Sequence, residues 1–307
     1  MTAAYASALI AAREAAAAQH YPHGTLYVVA TPIGNLADIS LRALHVLALA
    51  DAIACEDTRH TQALLRAYGI DKAPAQLIAV HQHNEAQAAQ VVVQRLQQGQ
   101  RIACASDAGT PTISDPGARL VAAVQGAGLG VVPLPGASSI TAAVSVAGIV
   151  TAAAADSGFV FAGFLATRAT EREAAVRRLA SEPRSVVLLE APHRIEALAH
   201  ALAVLGERRV TVARELTKQF EEISTVHAAD LPQWFASSPQ RTRGEFVLVL
   251  HPAVVATESG NEERVLKLLL AELPLKTAVR LTADITGSPR NALYDAALVL
   301  KNDGAAG

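Results

Sequence analysis

The sequence predicts an α/β protein whose first half forms a mostly parallel sheet. Of its 307 residues, 51% are hydrophobic and only 4% are aromatic. This composition suits packed helices and strands better than an aromatic-rich all-β core. Between residues 24 and 147, short apolar runs alternate with helical patterns, which is typical of parallel sheets. The length is sufficient for about two domains.

The first half contains five predicted strands, each followed by a helix. The strands are expected at residues 24–31, 51–55, 76–80, 101–106 and 130–134. The helices are expected at residues 41–49, 61–68, 86–98, from 116 to about 125, and from 139 onward. Ser40 is the expected N-cap of the first helix, and Gly99 ends the third. Residues 1–23 are Ala-rich and poor in charge, and we expect an N-terminal extension that is helical or disordered.

Small or acidic residues follow four of these strands. The turns are TPIGN (31–35), ED (56–57), SDAGTP (106–111) and PGASS (135–139). In a parallel sheet the carboxyl ends of the strands lie at one edge, and ligands of open α/β sheets bind there. We therefore predict a pocket at this edge, where Asp107 offers a fixed carboxylate. Beyond the third turn, Asp115 is the expected N-cap of the next helix and Pro116 its first residue.

The second half predicts a mixed sheet. Strand patterns occupy residues 159–165, 185–190, 210–213 and 246–250, and helical patterns occupy residues 170–180 and 195–205. The long segment between Arg214 and Gly244 is polar and irregular, which favours a mixed sheet over a parallel one. Gly- and Ala-rich residues 148–158 and residues 253–261 are predicted linkers. The expected domains are therefore residues 24–147 and 148–252, followed by a module at 253–307.

The C-terminal module carries three short helical patterns, at residues 262–273, 276–286 and 290–300. A Gly-Ser-Pro break separates the last two, so this pair resembles a helix-turn-helix. Two interpretations stay open at this point. The helices form either a cap on the second domain or a module that contacts nucleic acid.

Composition narrows the possible partners and the compartment. The formal net charge of −2 gives no global sign of a nucleic-acid partner, although a local basic face is compatible with it. Cys55 and Cys104 both lie in apolar strand patterns, so we expect small core residues, as in a reducing cytoplasm. No apolar run approaches the ~18 residues of a membrane helix.

The motifs narrow the chemistry of the predicted pocket. The first turn lacks the G-x-G-x-x-G of dinucleotide sites, and the chain has neither a P-loop nor a Gly-x-Ser-x-Gly elbow. His81-x-His83 is more typical of a polar strand end than of a metal site, so no metal is predicted. The remaining backbone groups, hydroxyls and carboxylates suit a ligand with amides, hydroxyls and a positive centre. S-adenosyl-L-methionine is such a ligand, but this match alone does not identify it.

Eight motifs follow one another between residues 31 and 218. They are TPIGNLADIS (31–40), CEDTRHT (55–61), HQHNE (81–85), SDAGTPTISDPG (106–117), PLPGASS (133–139), FAGFL (161–165), EAPHR (190–194) and RELTK (214–218). GEFVLVL (244–250) and KTAVRLTADITGSPRNALYDAAL (276–298) come after them. Together they resemble the bacterial 16S rRNA cytidine 2′-O-methyltransferases, a family of the tetrapyrrole-methylase superfamily.

The resemblance implies two α/β domains of the tetrapyrrole-methylase type with S-adenosyl-L-methionine in the cleft between them, a small C-terminal helical module, and a homodimer. The implied substrate is a cytidine of 16S rRNA near the decoding site, presented by the assembled 30S subunit. The implied cofactor-binding residues are Pro32, Ser106, Asp107, Ala108, Gly109, Thr110, Ile113, Gly136, Ser138, Ser139, Leu189 and Glu215.

A base that takes the proton of the ribose hydroxyl would add to the rate. Glu190 and Lys218 are the hypothesised catalytic residues, and Asp57 is a further candidate from its position at a strand end. The basic residues expected to contact RNA are Arg59, Arg194, Lys276, Arg280 and Arg290. Two rival functions stay open: methylation of a tetrapyrrole carbon of the precorrin type, and a non-enzymatic nucleic-acid-binding regulator.

Overall fold

A parallel five-stranded sheet forms the first half of the protein. The computed structural model describes residues 5–81, 83–114, 117–150, 158–253 and 261–303. The strands are β1 (Thr25–Val29), β2 (Ala52–Cys55), β3 (Leu77–Ala79), β4 (Ile102–Ala105) and β5 (Gly130–Leu134), in the order β3-β2-β4-β1-β5. Every neighbouring pair is parallel, so the predicted parallel sheet is confirmed.

The register of this sheet brings the predicted turns to one edge. Val29 pairs with both Ala105 and Leu134, and Cys55 also pairs with Ala105. The last residues of β1, β2, β4 and β5 therefore lie level with one another. Because the small-residue and acidic turns begin one or two residues after these positions, all four turns start at the same edge.

Six helices accompany this sheet among the described residues. They are α1 (Ala6–Ala16), α2 (Leu41–Leu49), α3 (Thr58–Ala67), α4 (Glu85–Gln97), α5 (Ala118–Gly126) and α6 (Ser139–Val146). Helix α1 lies within the predicted N-terminal extension, residues 1–23. Ala12 of α1 is fully buried in the same core cluster as Tyr27 and Leu44, so α1 is packed against the first half.

Two helix starts differ from the sequence prediction because side chains cap them. Helix α3 begins at Thr58, three residues earlier than predicted, since the Asp57 carboxylate accepts hydrogen bonds from the N–H groups of Arg59 (2.8 Å) and His60 (3.4 Å). Helix α5 begins only at Ala118, with Gly117 at the N-cap position.

The cap of α5 comes from a distant helix. Glu85 Oε1 accepts hydrogen bonds from the N–H groups of Gly117 (2.8 Å) and Arg119 (3.0 Å). The cap predicted at Asp115 and the helical Pro116 lie outside the described residues. A carboxylate at the first turn of α4 thus satisfies the free N–H groups of α5, as a local cap residue would.

A mixed five-stranded sheet forms the second half. Its strands are β6 (Phe159–Gly163), β7 (Ser185–Glu190), β8 (Arg209–Arg214), β9 (Glu222–His227) and β10 (Phe246–Leu250), in the order β6-β7-β10-β8-β9. Only β6 and β7 are parallel, so the predicted mixed sheet is confirmed. Helices α7 (Ala169–Leu179) and α8 (Ile195–Leu202) follow β6 and β7.

The segment predicted to be irregular contains an edge strand and a helix. Strand β9 and helix α9 (Leu231–Ala236) both lie between Arg214 and Gly244. The prediction failed because the residues of β9 alternate between half-buried and exposed. Such an edge strand needs few apolar residues, and EISTVH offers only Ile223 and Val226.

Helix α6 joins the two sheets. Ile140, Ala143 and Ala147 form one apolar cluster with residues of β7, β8 and β10 in the second sheet. Residues Met1–Pro252 accordingly form one compact unit, and Ala253–Gly307 form a second. The domain boundary predicted between residues 147 and 148 stays a prediction. Most of the linker predicted there lies outside the described residues.

The second unit has its own core. Its helices are α10 (Asn261–Glu272), α11 (Leu275–Thr286) and α12 (Arg290–Asp303), close to the three predicted patterns. Leu266, Val279, Ala283, Leu293 and Ala297 form its buried cluster. Gly287, in the left-handed region (φ 74°), ends α11. No described helix of the chain combines the length and the apolar character that crossing a membrane requires.

Two histidines, one buried and one half-buried, make the stability of the first unit depend on pH. His251 is buried, and its Nε2 lies 2.8 Å from Thr211 Oγ1. Burial, and then the charges of Arg209 and Arg208, lower the pKa of His251. Burial also lowers the pKa of the half-buried His45.

We expect the free energy of unfolding to fall as the pH drops below about 6.5, the ordinary pKa of histidine. Both imidazoles bind a proton less readily in the folded state than in the unfolded chain, so acid favours unfolding. Urea titrations between neutral and mildly acidic pH measure the effect. A His251→Gln variant should lose part of the slope, and His45→Gln measures the share of the second imidazole. An unaltered slope in both variants would contradict the argument.

Candidate functional site

A cavity of about 270 Å³ lies between the two sheets of the first unit. The first sheet contributes Ile33, Ala108 and Ser139 from three of its carboxyl-edge turns. The second sheet contributes the carboxyl end of β7, with further residues of β8 and β10. The lining is mostly apolar, and its polar side chains are Ser139, Glu190 and Glu245. Apolar walls with a few fixed polar groups are typical of small-molecule sites.

The turn after β4 is attached to the turn after β1. The backbones of Thr31 and Gly109 exchange two hydrogen bonds, of 2.9 and 3.0 Å. The Thr31 hydroxyl donates to the carbonyl of Ser106 at 3.1 Å, and the Ser106 hydroxyl donates to the carbonyl of Gly109 at 3.1 Å. Gly109 adopts φ 82°, and a Cβ there would lie 3.2 Å from Ile33. The SDAGTP turn is therefore held rigidly beside the cavity wall.

The turn after β5 packs closely on the same structure. The Thr110 hydroxyl donates to the carbonyl of Ala137 at 3.1 Å. A Cβ at Gly136 would lie 2.8 Å from the Cβ of Ala30. Ser138 occupies the N-cap position of α6 without a side-chain capping bond. The Ser138 side chain therefore does not cap α6.

Replacing Gly136 by alanine is expected to destabilise the first unit by about 1–3 kcal/mol, the usual cost of overpacking. The methyl group of Ala30 cannot rotate away, so the backbone of one turn must move. Urea unfolding measures the loss. Gly126→Ala is the matched control, because no atom outside the neighbouring residues and backbone of its own helix lies within 4 Å of its Cβ position. Equal stability of the two variants would contradict the packing argument.

Glu190 is the most buried polar side chain of the cavity, with 1% of its surface exposed. Its Oε1 accepts a hydrogen bond from Ala191 N–H at 2.9 Å and lies 3.0 Å from Arg194 Nε. Its Oε2 has no hydrogen-bond partner among the described residues. An unpaired buried polar atom costs about 1–3 kcal/mol, and more when charged. This oxygen is therefore placed to accept a hydrogen bond from a bound molecule.

Arg194 connects Glu190 to the loop after β6. Its Nη2 donates to the carbonyl of Leu165, and its side chain is 20% exposed. Arg194 thus holds the FAGFL and EAPHR segments together, and its contact with RNA stays a prediction.

Lys218 bridges two carboxylates at the edge of the cavity. Its Nζ lies 2.8 Å from Glu215 Oε1 and 2.9 Å from Glu245 Oε2. Burial alone would lower the pKa of Lys218, but the hydrogen bonds to Glu215 and Glu245 outweigh it and raise that pKa. Lys218 is therefore an ammonium ion at neutral pH and cannot accept a proton. Of the two hypothesised catalytic residues, Glu190 has the chemistry of a base.

The loop that carries Lys218 is strained and tightly packed. Glu215 and Thr217 have positive φ values of 52° and 66°. A Cβ at Gly34 would overlap the Lys218 side chain, and one at Gly244 would overlap Glu215. Strain of this kind costs about 1–3 kcal/mol per residue and clusters at functional sites. The RELTK loop thus touches the TPIGN turn of the first half.

Two other carboxylates at the edge of the first sheet have local partners. Asp107 Oδ1 accepts a hydrogen bond from Asp57 N–H at 3.3 Å. Asp57 caps α3 and pairs with Arg59, whose Nη2 lies 2.9 Å from its Oδ2. The hydrogen bonds from Arg59 lower the pKa of Asp57 to about 2. Asp57 is thus a poor proton acceptor at neutral pH, and Arg59 remains 90% exposed.

The structure brings together only part of the predicted site. Ala108, Ser139, Leu189 and Glu190 line the cavity. Ser106, Gly109, Thr110 and Gly136 shape the turns behind it. Ile113 is half exposed. The roles assigned to these residues, to Pro32, Asp107, Ser138 and Glu215, and to the basic residues stay predictions.

Sequence reasoning missed several lining residues, among them Ile33, Phe164, Leu216, Glu245 and Phe246. All of them lie inside or directly beside the quoted motifs, so their position in the motifs could have identified them as candidate lining residues. From the sequence alone, the apolar residues among them cannot be distinguished from core residues. Their place in the cavity wall follows only from the position of the second sheet.

No group of three or more histidine, cysteine, aspartate or glutamate side chains that could hold a metal occurs within the part of the chain that the structure describes. The rings of His81 and His83 have centroids 6.1 Å apart. Cys55 and Cys104 are buried free thiols, and burial raises the pKa of Cys104 to about 12. Both cysteines are core residues, as predicted.

The two-sheet unit and its cavity define a class of protein. Residues 25–232 match the family of Tetrapyrrole (Corrin/Porphyrin) Methylases, and this chain belongs to that family. Residues 256–301 match the RsmI C-terminal HTH domain. This second match confirms the helix-turn-helix resemblance of the C-terminal helices.

The similar proteins share a more particular name. A "Ribosomal RNA small subunit methyltransferase I" of Neisseria meningitidis serogroup A is 47% identical over 91% of this chain and 94% of its own length. Those of Escherichia coli O157:H7 and Pseudomonas aeruginosa are 46% and 47% identical over 90% of the chain, covering 95% and 97% of their own lengths. Within the methylase family, the chain groups with these methyltransferases.

Solved structures support the fold. A cobalt precorrin-4 methyltransferase of cobalamin biosynthesis superposes with a TM-score of 0.54 at 16% identity, over 75% of this chain and 98% of its own. Diphthine synthase superposes with a TM-score of 0.55 at 14% identity, over 74% and 90%. Because proteins with such different names share the architecture, the fold does not identify the substrate.

Proposed function

We propose that this protein transfers a methyl group from S-adenosyl-L-methionine to the 2′-hydroxyl of a cytidine in 16S rRNA of the 30S subunit. The similarity to ribosomal RNA small subunit methyltransferases I over about nine-tenths of the chain supports the reaction class and the RNA. One structural observation carries the site. Glu190, almost fully buried in a cavity between the two sheets, keeps a carboxylate oxygen without a partner among the described residues.

The residues of the cavity fit the cofactor. Apolar walls suit its adenine ring, and Ser139 adds a hydroxyl at the start of α6. Ala108 and Leu189 bring two further cofactor-binding predictions to the same cavity. When bound, S-adenosyl-L-methionine supplies a methyl group on a positively charged sulfur.

The chain itself orients the acceptor and takes its proton. Glu190 accepts a hydrogen bond from the ribose hydroxyl at Oε2, while Arg194 and the Ala191 N–H fix Oε1. Holding the hydroxyl in line contributes a large part of the rate, since alignment alone is worth ~7–11 kcal/mol. Transfer of the proton to a positioned base adds ~10²–10⁴-fold. Lys218 holds Glu245 at the cavity edge.

The partners follow from this reaction. Arg59, exposed at the edge of the first sheet, and Lys276, Arg280 and Arg290 of the second unit are the residues we assign to RNA phosphates. Assembled 30S subunits place the enzyme in the cytoplasm. The enzyme acts as a homodimer, by the same family resemblance.

Transfer of labelled methyl groups to 30S subunits tests the proposal. Subunits from a strain that lacks the corresponding methyltransferase should accept one methyl group per 16S rRNA, at a ribose 2′-oxygen of a cytidine. Fully methylated subunits serve as the control. Transfer to a precorrin instead would establish the rival tetrapyrrole activity, and cofactor binding without transfer would favour the regulator. The names of the similar proteins favour neither rival.

A further inference from the structure

We infer that Phe164 is the stacking platform for the base of the nucleotide that is methylated. This inference rests on the proposed function and adds a residue that recognises the substrate. Phe164 lines the cavity and is nevertheless 54% exposed. Exposing a large apolar ring to water at the mouth of the cavity is unfavourable in free energy unless another group covers the ring.

The backbone aims this ring at the cavity. The pairing of β6 with β7 shifts register between Phe161 and Gly163, which leaves one extra residue on β6. Gly163 has φ 64°, a conformation open to glycine at little cost. Bulges of this kind occur next to active sites, where they redirect a side chain.

The backbone next to Phe164 is also held in place. Leu165, the next residue, is buried, and its carbonyl accepts a hydrogen bond from Arg194, which pairs with Glu190. One side chain thus connects the Phe164 loop to the carboxylate at the proposed reaction centre. Because Phe164 is positioned relative to the Glu190 carboxylate before the substrate binds, little entropy is lost on binding.

The chemistry of the substrate indicates which group covers the Phe164 ring, namely the base of the target nucleotide. A ribose hydroxyl reaches a recessed cavity only if its nucleotide leaves the neighbouring bases, and unstacking costs a few kcal/mol. Proteins that bind unstacked RNA bases commonly replace the lost base–base stacking by stacking the base on an aromatic side chain. Phe164 is the aromatic side chain that lies at the mouth of the cavity with half of its surface free.

Three variants test the inference. Phe164→Ala is expected to lower kcat/KM for unmethylated 30S subunits about 5- to 150-fold, the range of one base–aromatic stack. Its affinity for S-adenosyl-L-methionine, measured by calorimetry without RNA, should equal that of the wild type. Phe164→Tyr keeps the ring and should retain activity. Phe159→Ala removes an exposed ring from the amino end of the same strand, opposite Ser185 of β7, and should behave as wild type.

Three results would overturn the inference. Full activity of Phe164→Ala excludes a contact with the substrate, and equal damage in Phe164→Tyr excludes stacking. A matching loss of cofactor affinity would mean that the ring packs on the cofactor. If the wild-type protein itself methylates no 30S subunit, the proposed function fails first, and this outcome is separate from a defect of the variant alone.

Discussion

Replacing Glu190 by glutamine is expected to lower methyl transfer to 30S subunits by about 10²–10⁴-fold, the contribution of a positioned general base. Glutamine keeps the size of the side chain and an oxygen for the Ala191 N–H, but its amide does not take a proton. The loss should therefore appear in kcat, whereas the affinity for S-adenosyl-L-methionine and the unfolding midpoint change little.

The control is Glu173→Gln, which removes an exposed carboxylate paired with Arg177 on α7 and should leave turnover intact. A Lys218→Ala variant tests the second candidate. It should leave Glu245 less firmly held, but it should not abolish methyl transfer. If alanine variants of both Glu190 and Lys218 keep full turnover with normal cofactor affinity, neither residue has the hypothesised catalytic role.

Removing residues 253–307 is expected to weaken binding to 30S subunits and to leave cofactor binding intact. These residues form a compact unit with its own core, and the cavity is built entirely from the first unit. If Lys276, Arg280 and Arg290 each contact one phosphate, the slope of log affinity against log salt should become shallower by about three.

Subunit binding across a salt series, together with calorimetry of the cofactor, measures both quantities. A triple variant Lys276→Gln, Arg280→Gln and Arg290→Gln is the matched test, because it removes the charges and keeps the helices. Equal losses of RNA and cofactor binding on truncation would mean that the second unit only stabilises the first. A truncated protein with the salt slope of the wild type would exclude the phosphate contacts.

Most of the first sheet was predictable because its signals are local. Short apolar runs such as Ile102–Ala105 end at small or acidic residues, and parallel strands must place such ends at one edge. The three C-terminal helices were predictable for the same reason, since apolar periodicity and the Gly287 break lie within the segment itself.

The errors have nonlocal causes. Glu85 caps α5 from 32 residues away, and no pattern in either segment records that contact. Strand β9 escaped detection because a half-exposed edge strand needs few apolar side chains. The hydrogen bond from the Asp57 N–H to Asp107 Oδ1 likewise joins two turns that lie 50 residues apart, and the role of Asp107 in cofactor binding stays a prediction.

Local patterns along the chain were enough to predict the parallel sheet, the turns at its carboxyl edge, the C-terminal helices and, through the motifs, the family. Which carboxylate faces the cavity, and which groups surround it, could be read only from the packing of the folded chain. That choice depends on how α6 packs against the second sheet, through Ala143, Val187 and Val247. Strands and turns follow from neighbours along the chain, whereas the burial of Glu190 and the charge of Lys218 follow from residues brought together by packing.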